Sequence, residues 1–353
     1  MLSLRQISFT RTFLFCAISI VLFSSTGFCV DSSVLFDFDG DGKTDISVYR
    51  MGAWTTTNRA ASYFYIRSSL TGELIAAPFG AGGDRPAVSD YDRDGIADLA
   101  VFRSWDDALE FPWLASDYWV RRSSTGLTDV NYFLGHGTIV SRDFVGDNRP
   151  EFGVFTQRFV EGSDPDNPCY IPGFLIGRND DIYQKDISEN CLDSINSRIP
   201  ALGDYDGDGV SDIAILNTNA SSTRGSSYFQ VWHSPLTSGL TEPDVIKQFP
   251  ADFPLPGDYD CDGKTDFAGG RFENGRLVWR MLFSSNNFLW TVTFGITGDK
   301  PVPGDYDGDG KTDQAVFRPS EGNWYILRSS DWNWEMHHFG IATDVPIPQP
   351  NAF

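Results

Sequence analysis

The sequence predicts an all-β protein, a β-propeller of six four-stranded blades with about 50 residues in each blade. Two observations predict this fold. An acidic decapeptide recurs six times at intervals of about 50 residues, and the copies are followed by short segments rich in Val, Ile, Phe, Tyr and Trp. Gly, Pro, Ser and Asn separate these segments, and helical periodicity never lasts beyond two turns after the N-terminal region. Four strands repeated at this period are typical of propellers.

The four strands of a blade can be followed within the repeats. After the acidic loop comes an alternating apolar segment such as DLAVFR (98–103), and a second follows, such as NWYILRSS (323–330). A third ends in Phe-Gly, as in LWTVTFG (289–295), and a short run such as DKPVPGDYD (299–307) leads into the next loop. Alternation with β-branched and aromatic residues predicts strands. Residues 33–350 are therefore predicted to form one propeller domain, with metal loops that start at residues 37, 90, 143, 204, 258 and 305.

The two ends of the chain predict how the ring closes. The C-terminal FGIATDVPIPQPNAF (339–353) matches FGITGDKPVPGDYD (294–307), but Pro350 stands where the next loop would begin. The chain thus ends with a first strand for a blade that does not follow, while SSVLFDFD (32–39) carries a comparable strand. We expect one of these two segments to complete the first blade by pairing N- and C-terminal strands in one sheet. A seventh blade would need about 50 further residues, so six blades are favoured.

The N-terminal residues 1–29 are predicted to be a secretory signal peptide. Arg5 and Arg11 precede a short apolar run (12–23), which is followed by small residues (24–27). An uncleaved membrane anchor is less favoured, because the run is shorter than the ~20 residues of a spanning helix. No comparable run follows. We therefore expect a secreted protein, extracellular or periplasmic, with no membrane span after signal removal, and nothing in the pattern indicates its oligomeric state.

Composition and net charge restrict the kinds of partner that are expected. The chain is 41% hydrophobic and 14% aromatic, which is enough for a large core. Its 27 Lys and Arg residues face 48 Asp and Glu residues, for a net charge of −21. Such a charge repels nucleic acid and anionic membranes. Cations, neutral sugars and basic protein surfaces remain as natural partners.

Cysteines and one long insertion add a further expectation. Residues 159–191 are predicted to be a polar insertion in the third repeat, of the kind that can carry function on a rigid scaffold. Cys169 and Cys191 lie in it, and an oxidising compartment permits them to form a disulfide. Cys261 lies inside an acidic loop and has no evident partner in the sequence.

The acidic loops have the spacing D-x-D-x-D-G-x-x-D, typical of a calcium site. Carboxylates at alternate positions of a tight turn supply the oxygens that Ca²⁺ requires, and the carbonyl at position 7 can add another. Asp and Gly are also ordinary turn residues, but turns do not require four carboxylates at fixed positions in five copies. Two carboxylates ~4 Å apart repel by roughly 4 kcal/mol at an effective dielectric near 20. Because the last carboxylate falls at position 9, where a strand begins, the pattern predicts a metal loop in a β-hairpin rather than an EF-hand. Mg²⁺ fits less well, since it prefers strict octahedral geometry.

Phe-Gly, a linker with Gly or Pro, and this acidic loop together resemble the FG-GAP repeat, also called the VCBS-type repeat. The clearest copies are FGAGGDRPAVSDYDRDGIAD (79–98) and FGITGDKPVPGDYDGDGKTD (294–313). The resemblance implies a propeller with Ca²⁺ in the blade hairpins, as in the head of integrin α subunits and in some lectin-like proteins. It does not imply one activity, and members more often have seven blades.

By this resemblance the ligands are the first, third, fifth and ninth residues of five loops, to which the spacing adds the backbone carbonyl of the seventh. About five Ca²⁺ ions per chain are therefore expected. In the third loop, Val145 replaces the second Asp and Asn148 replaces the glycine. The remaining carboxylates, Asp143, Asp147 and Glu151, are predicted to form a weak or lost site. The predicted ligands are Asp37, Asp39, Asp41, Lys43 and Asp45; Asp90, Asp92, Asp94, Ile96 and Asp98; Asp204, Asp206, Asp208, Val210 and Asp212; Asp258, Asp260, Asp262, Lys264 and Asp266; Asp305, Asp307, Asp309, Lys311 and Asp313.

Function is predicted from aromatic residues that depart from the repeat. Trp105 and Trp113 lie in an insertion in the second repeat, and Trp332 and Trp334 lie at a hairpin tip. Exposed Trp can stack on a sugar or anchor a protein partner, although packing between blades is the alternative. No catalytic motif or catalytic residue is indicated. The favoured function is an extracellular interaction module for carbohydrate or protein. A polysaccharide-acting hydrolase or lyase and a purely structural repeat protein are the alternatives.

Overall fold

The structure is a computed structural model that describes residues 36–55, 58–104, 116–133, 137–159, 170–178, 181–187, 197–218, 227–235 and 242–348. The described residues form six four-stranded antiparallel sheets and one two-stranded hairpin, without helices. The sheets are the six blades of a β-propeller, so the predicted fold class and blade number are confirmed.

The blades follow one another along the chain, apart from the strand that closes the ring. Blade 1 contains β26, β1, β4 and β5, and β2 with β3 forms the small hairpin. Blades 2 to 6 each take four consecutive strands, and the first strand has two or three residues in every one of them except blade 3, where it has five. The strands are β1 (Ile46–Arg50), β2 (Trp54–Thr55), β3 (Asn58–Arg59), β4 (Ala61–Arg67), β5 (Leu74–Ala81), β6 (Arg85–Pro86), β7 (Leu99–Ser104), β8 (Ser116–Arg121), β9 (Thr128–Phe133), β10 (Thr138–Arg142), β11 (Glu151–Phe159), β12 (Tyr170–Arg178), β13 (Asp181–Asp186), β14 (Arg198–Pro200), β15 (Ile213–Asn217), β16 (Tyr228–Trp232), β17 (Val245–Gln248), β18 (Phe253–Pro254), β19 (Phe267–Glu273), β20 (Arg276–Leu282), β21 (Leu289–Ile296), β22 (Lys300–Pro301), β23 (Gln314–Arg318), β24 (Asn323–Leu327), β25 (Trp334–His338) and β26 (Val345–Ile347).

Burial explains the apolar pattern of each strand. The second strands, such as β15, are buried on both faces, whereas the outer strand β21 is largely exposed. Alternating side chains of the third strands face neighbouring blades, as Phe64 and Ile66 do in β4. The hydrophobic core therefore lies between successive blades: residues of blade 1 such as Phe64 pack in one cluster with Val88 and Val101 of blade 2.

The C-terminal strand closes the ring. Strand β26 pairs antiparallel with β1, with Ser47 opposite Ile347, and takes the place of the first strand of blade 1. Arg50 at the end of β1 forms two 2.8 Å hydrogen bonds with the fully buried carboxylate of Asp344. The expectation that N- and C-terminal segments share one sheet is confirmed, and of the two candidates the C-terminal segment supplies the strand.

The same aspartate–arginine pair occurs inside continuous blades. Asp84 before β6 pairs with Arg103 at 2.7 and 2.8 Å, and Asp299 before β22 pairs with Arg318 at 2.7 and 3.0 Å. These carboxylates are buried, and bidentate pairing with an arginine satisfies them. The closing contact in blade 1 thus repeats the one that holds the first strand in other blades.

One sequence prediction is wrong, and one feature that the sequence left open is resolved. Part of the predicted insertion 159–191 forms the regular strands β12 and β13, because Phe174 of β12 lies opposite Phe155 and packs on it at 4.8 Å between ring centroids. Cys261, for which no partner was evident from the sequence, is disulfide-bonded.

Several predictions fall outside the described residues. These are the signal peptide 1–29, the Cys169–Cys191 pairing, and the two aromatic candidates Trp105 and Trp113. Within the part of the chain that is described, no helix is long and apolar enough to cross a membrane.

Candidate metal centres and an exposed aromatic cluster

The six acidic loops lie at one end of the propeller. Five of them connect the first and second strands of a blade, whereas the loop that starts at residue 37 precedes β1, because the first strand of blade 1 is the C-terminal β26. We call them loops 1 to 6 and number their positions 1 to 9 from the residues 37, 90, 143, 204, 258 and 305. Loops from different blades surround a cavity of about 470 Å³, whose lining includes Thr44, Gly203, Gly257 and Thr312. The hairpin location predicted for the loops is confirmed for loops 2 to 6.

The carboxylate at position 1 organises the turn. Asp37 Oδ1 accepts a hydrogen bond from Gly40 N at 2.6 Å, and its Oδ2 accepts one from Gly42 N at 2.8 Å. Both donors have positive φ, near +81°, which glycine adopts without strain. Loop 3 keeps this conformation although it lacks the glycine at position 6, since Asn148 takes φ 59° there. Turn geometry alone therefore does not require the full set of carboxylates.

The carboxylate at position 9 ties the loop to a neighbouring hairpin of the same blade. In loop 6, Asp313 Oδ2 accepts a hydrogen bond from Tyr306 N at position 2, and Oδ1 accepts one from Ser329 N in the turn between the third and fourth strands. Burial is the main cause that raises the pKa of these carboxyls above the usual range of aspartate. The pKa is about 6 for Asp45, Asp98 and Asp212, and about 7 for Asp266 and Asp313.

Pairs of serines that follow the third strands, for which no function was predicted, bond the carboxylates at positions 3 and 5. In blade 2, Ser124 Oγ donates to Asp92 Oδ2 at 2.5 Å and Ser123 Oγ donates to Asp94 Oδ2 at 2.7 Å. The recurring Ser-Ser after the third strand was the signal that could have identified them. Blades 5 and 6 repeat the arrangement with Ser284 and Ser285 on Asp262 and Asp260, and with Ser329 and Ser330 on Asp309 and Asp307.

The acidic groups are brought together tightly enough to share a cation. In loops 1, 2 and 5 the carboxylates at positions 1, 3 and 5 have ligand oxygens within 4.8 Å of one another. Loop 4 brings positions 1, 3 and 9 together, and loop 3 brings together Asp143, Asp147 and Glu151. The remaining oxygens Asp92 Oδ1 and Asp260 Oδ1 are shielded from solvent and have no hydrogen-bond partner among the described residues.

A chain of backbone hydrogen bonds joins successive loops around the axis. The N–H at position 8 donates to the carbonyl oxygen at position 1 of the preceding loop in five of the six cases. Loop 3 is the exception, because its position 8 is Pro150, which has no N–H. The bonds are Thr44 to Asp305 (2.6 Å), Ala97 to Asp37 (2.6 Å), Ser211 to Asp143 (2.7 Å), Thr265 to Asp204 (2.6 Å) and Thr312 to Asp258 (2.7 Å).

Residue size at these junctions is matched. The glycine before position 1 lies against the threonine at position 8 of the next loop: a Cβ on Gly257 would lie 2.6 Å from Thr312 Oγ1, and one on Gly304 would lie 2.8 Å from Thr44 Oγ1. Where the residue before position 1 carries a side chain, the next loop has Ala97, Pro150 or Ser211 at position 8 instead of threonine.

An exposed aromatic cluster lies at the same end of the molecule. We define it as Phe288 and Trp290 of blade 5 with Trp332 of blade 6, which are 52%, 37% and 51% exposed. The ring centroids of Trp290 and Trp332 are 5.6 Å apart, and those of Phe288 and Trp290 are 6.0 Å apart. Trp332, a predicted ligand-binding residue, thus joins two residues that were not predicted. Trp334, the other candidate, is exposed and packs on Tyr325 at 6.4 Å.

The carboxylate and amide groups beside Trp332 form a small polar network. Asp331 Oδ1 accepts a hydrogen bond from Asn333 N, and its Oδ2 accepts bonds from Asn333 Nδ2 and Arg328 Nη2, each at 2.8 Å. The two histidines of β25 make other contacts: His337 Nδ1 lies 3.1 Å from Arg67 Nη1 of blade 1, and His338 Nδ1 lies 2.9 Å from Asn323 Oδ1.

Fold and loops together define the chain as a six-bladed β-propeller that carries acidic hairpin loops at one end. No family model matches the chain, and no curated protein matches its sequence. Among solved structures it is similar to the exotype rhamnogalacturonan lyase YesX (12% identity, 83% of this chain, 70% of that chain, TM-score 0.38). It is also similar to a putative 6-phosphogluconolactonase from Bacteroides fragilis NCTC 9343 (12% identity, 89% and 98%, TM-score 0.33). At these TM-scores neither likeness carries an argument about function.

Proposed function

We propose that loops 1, 2, 4, 5 and 6 bind Ca²⁺, about five ions per chain, and that the protein is an exported, calcium-stabilised interaction module for carbohydrate or protein. One observation carries the metal proposal: Asp92 Oδ1 and Asp260 Oδ1 are shielded from water, lack a hydrogen-bond partner among the described residues, and lie within clusters of three carboxylates. An anionic oxygen removed from water without a partner is costly. A cation bound by the cluster would provide that partner.

The donor set selects the kind of cation. The clusters consist of carboxylate oxygens, which suit hard cations such as Ca²⁺ rather than soft metals. A bound Ca²⁺ would neutralise the repulsion between positions 1, 3 and 5. The position 9 carboxylate already accepts two backbone N–H bonds, and a carboxylate has acceptor capacity for a further contact. This arrangement also supports the proposal that the chain is a distant FG-GAP or VCBS-type repeat protein.

Loop 3 is proposed to be the weakest site. It keeps three carboxylates together, but Val145 removes the ligand at position 3. Arg93 of loop 2 also reaches Asp147, with Nη2 3.3 Å from Oδ1, and this cation competes for the carboxylate. Export rests on the N-terminal pattern alone and is part of the same proposal.

Metal analysis of the purified chain tests the proposal. After equilibrium dialysis against Ca²⁺, about five ions per chain are expected, and Asp260→Asn is expected to lower the number by about one. Asp129→Asn is the matched control, because Asp129 is an exposed carboxylate paired with Arg122 outside the loops. A chain that remains free of metal at millimolar Ca²⁺, with an unchanged melting temperature, would overturn the metal proposal.

A further inference from the structure

The aromatic cluster is held by two of the acidic loops. Trp332 lies two residues after Ser330, whose hydroxyl donates to Asp307 of loop 6 at 2.5 Å. In blade 5 the corresponding hydroxyl of Ser285 donates to Asp260 of loop 5 at 2.5 Å, and Phe288 lies three residues further along. Each turn that carries an aromatic residue is therefore attached to one carboxylate cluster.

Further hydrogen bonds join the turn of blade 6 to its acidic loop. Ser329 N and Ser329 Oγ donate to Asp313 and Asp309 of loop 6, so three of its carboxylates contact one turn. The turn itself is closed by the bond from Trp332 N to Arg328 O at 3.0 Å. Carboxylates that lose a shared cation repel one another. Their separation would move the two turns, and with them the 5.6 Å spacing of Trp290 and Trp332.

The chemistry of the cluster favours a neutral carbohydrate. Exposed aromatic rings offer flat apolar faces to the C–H groups of a sugar ring. Asp331 and Asn333 stand beside Trp332 and present carboxylate and amide groups that sugar hydroxyls can bond. A net charge of −21 disfavours nucleic acids and acidic polysaccharides.

We propose that Phe288, Trp290 and Trp332 form a binding site for neutral polysaccharide that spans blades 5 and 6, and that metal ions in loops 5 and 6 set its affinity. The second part rests on the proposed calcium function. Because coupling between two binding sites is reciprocal, the polysaccharide must tighten calcium binding by the same factor.

Affinity electrophoresis tests the site in gels that contain a soluble β-glucan, a galactomannan or a xyloglucan. With Ca²⁺, the intact chain is expected to be retarded by at least one of them, and Trp332→Ala and Trp290→Ala are each expected to weaken binding at least tenfold. Trp54→Ala is the control, since Trp54 is equally exposed on the β2–β3 hairpin. No retardation by any of the three, in a chain shown to bind calcium, would overturn the inference and leave the calcium sites standing.

Matched serine variants test the coupling. Ser330→Ala and Ser285→Ala are expected to weaken binding three- to tenfold at a fixed calcium concentration, whereas Ser124→Ala removes the same contact from loop 2 in the opposite blade and should leave binding unchanged. Melting curves verify that every variant is folded. Chelation is expected to weaken binding tenfold or more. Equal binding with calcium and with chelator, in a chain that binds calcium, would overturn the coupling.

Sedimentation velocity tests whether the cluster binds a second copy of the chain instead of a polysaccharide. If the cluster joins two copies of the chain, a concentration-dependent dimer would appear in the intact chain and disappear in Trp332→Ala. That result, without polysaccharide binding, would overturn the carbohydrate assignment.

Discussion

Replacing Gly257 with alanine tests how the acidic loops are joined around the axis. The new Cβ would lie 2.6 Å from Thr312 Oγ1, 2.9 Å from its Cγ2 and 3.0 Å from its Cβ. Rotation about χ1 does not relieve the contact, because a β-branched side chain presents a second heavy atom in its place. Retreat of the backbone would break the 2.7 Å bond from Thr312 N to Asp258 O. The junction must therefore open or compress.

The expected cost is that of overpacking, about 1–3 kcal/mol. For a domain of this size, about 2 °C of melting temperature corresponds to each kcal/mol, so Gly257→Ala is expected to melt about 2–6 °C lower. Thr312→Ala alone should cost less than about 1 kcal/mol. The double variant is expected to recover most of the loss, with a coupling energy of about 1–2 kcal/mol between neighbouring sites.

Urea and thermal unfolding, each with saturating calcium and with chelator, measure these four chains. The natural sequence already contains a junction like that of the double variant. Ser89, which carries a side chain, precedes loop 2, and position 8 of the next loop is Pro150 instead of threonine. A Gly257→Ala variant that melts within 1 °C of the original chain would refute the packing argument. So would a double variant no more stable than the single one.

Three further predictions concern pH, ring closure and the loop aromatics. Burial raises the folded-state pKa of Asp266 and Asp313 to about 7, above the ~3.9 of an unfolded aspartate. In chelator the folded state therefore binds more protons than the unfolded state between about pH 4 and 7, and the melting temperature should fall as pH rises through that range. In saturating calcium, which requires ionised carboxylates, the melting temperature should instead rise with pH. Melting temperatures that change with pH in the same direction in both conditions would contradict this explanation. Asp344→Asn removes the charge that pairs with Arg50 where the ring closes, and it is expected to lower the free energy of unfolding in urea by about 2 kcal/mol. This is less than the 3–5 kcal/mol expected for breaking a fully buried ion pair, because Arg50 is partly exposed. The exposed pair partner Asp129→Asn should cost less than about 1 kcal/mol, and equal effects would argue against closure by this contact. Tyr306→Phe removes the 2.8 Å bond from its hydroxyl to Val302 O and should cost about 1 kcal/mol in stability. It should not lower the calcium stoichiometry, since loop 1, one of the five proposed calcium sites, has Phe38 at this position. A lost calcium ion would show that the hydroxyl organises the metal loop.

The candidate site shows where sequence reasoning succeeded and where it failed. The hairpin position of the loops followed from their spacing, since position 9 coincides with the start of an apolar strand. The contact between Trp290 and Trp332 could not be predicted in this way, because the two residues belong to different repeats and become neighbours only when blades 5 and 6 pack side by side. Strand β12 was missed for a related reason. It pairs with β11, with Phe174 opposite Phe155, but the residues that connect the two strands do not follow the repeat pattern.

The amino-acid sequence by itself determined the number of blades, the order of their strands and the place of the acidic loops. Each of these depends on residues within one repeat, where hydrophobic alternation and turn residues act locally. Only the tertiary structure decided which terminus closes the ring, how Thr312 lies against Gly257, and how Ser330 and Ser285 connect two loops to the exposed aromatic rings. These contacts depend on how neighbouring blades and turns are packed against each other, a spacing that no local pattern contains.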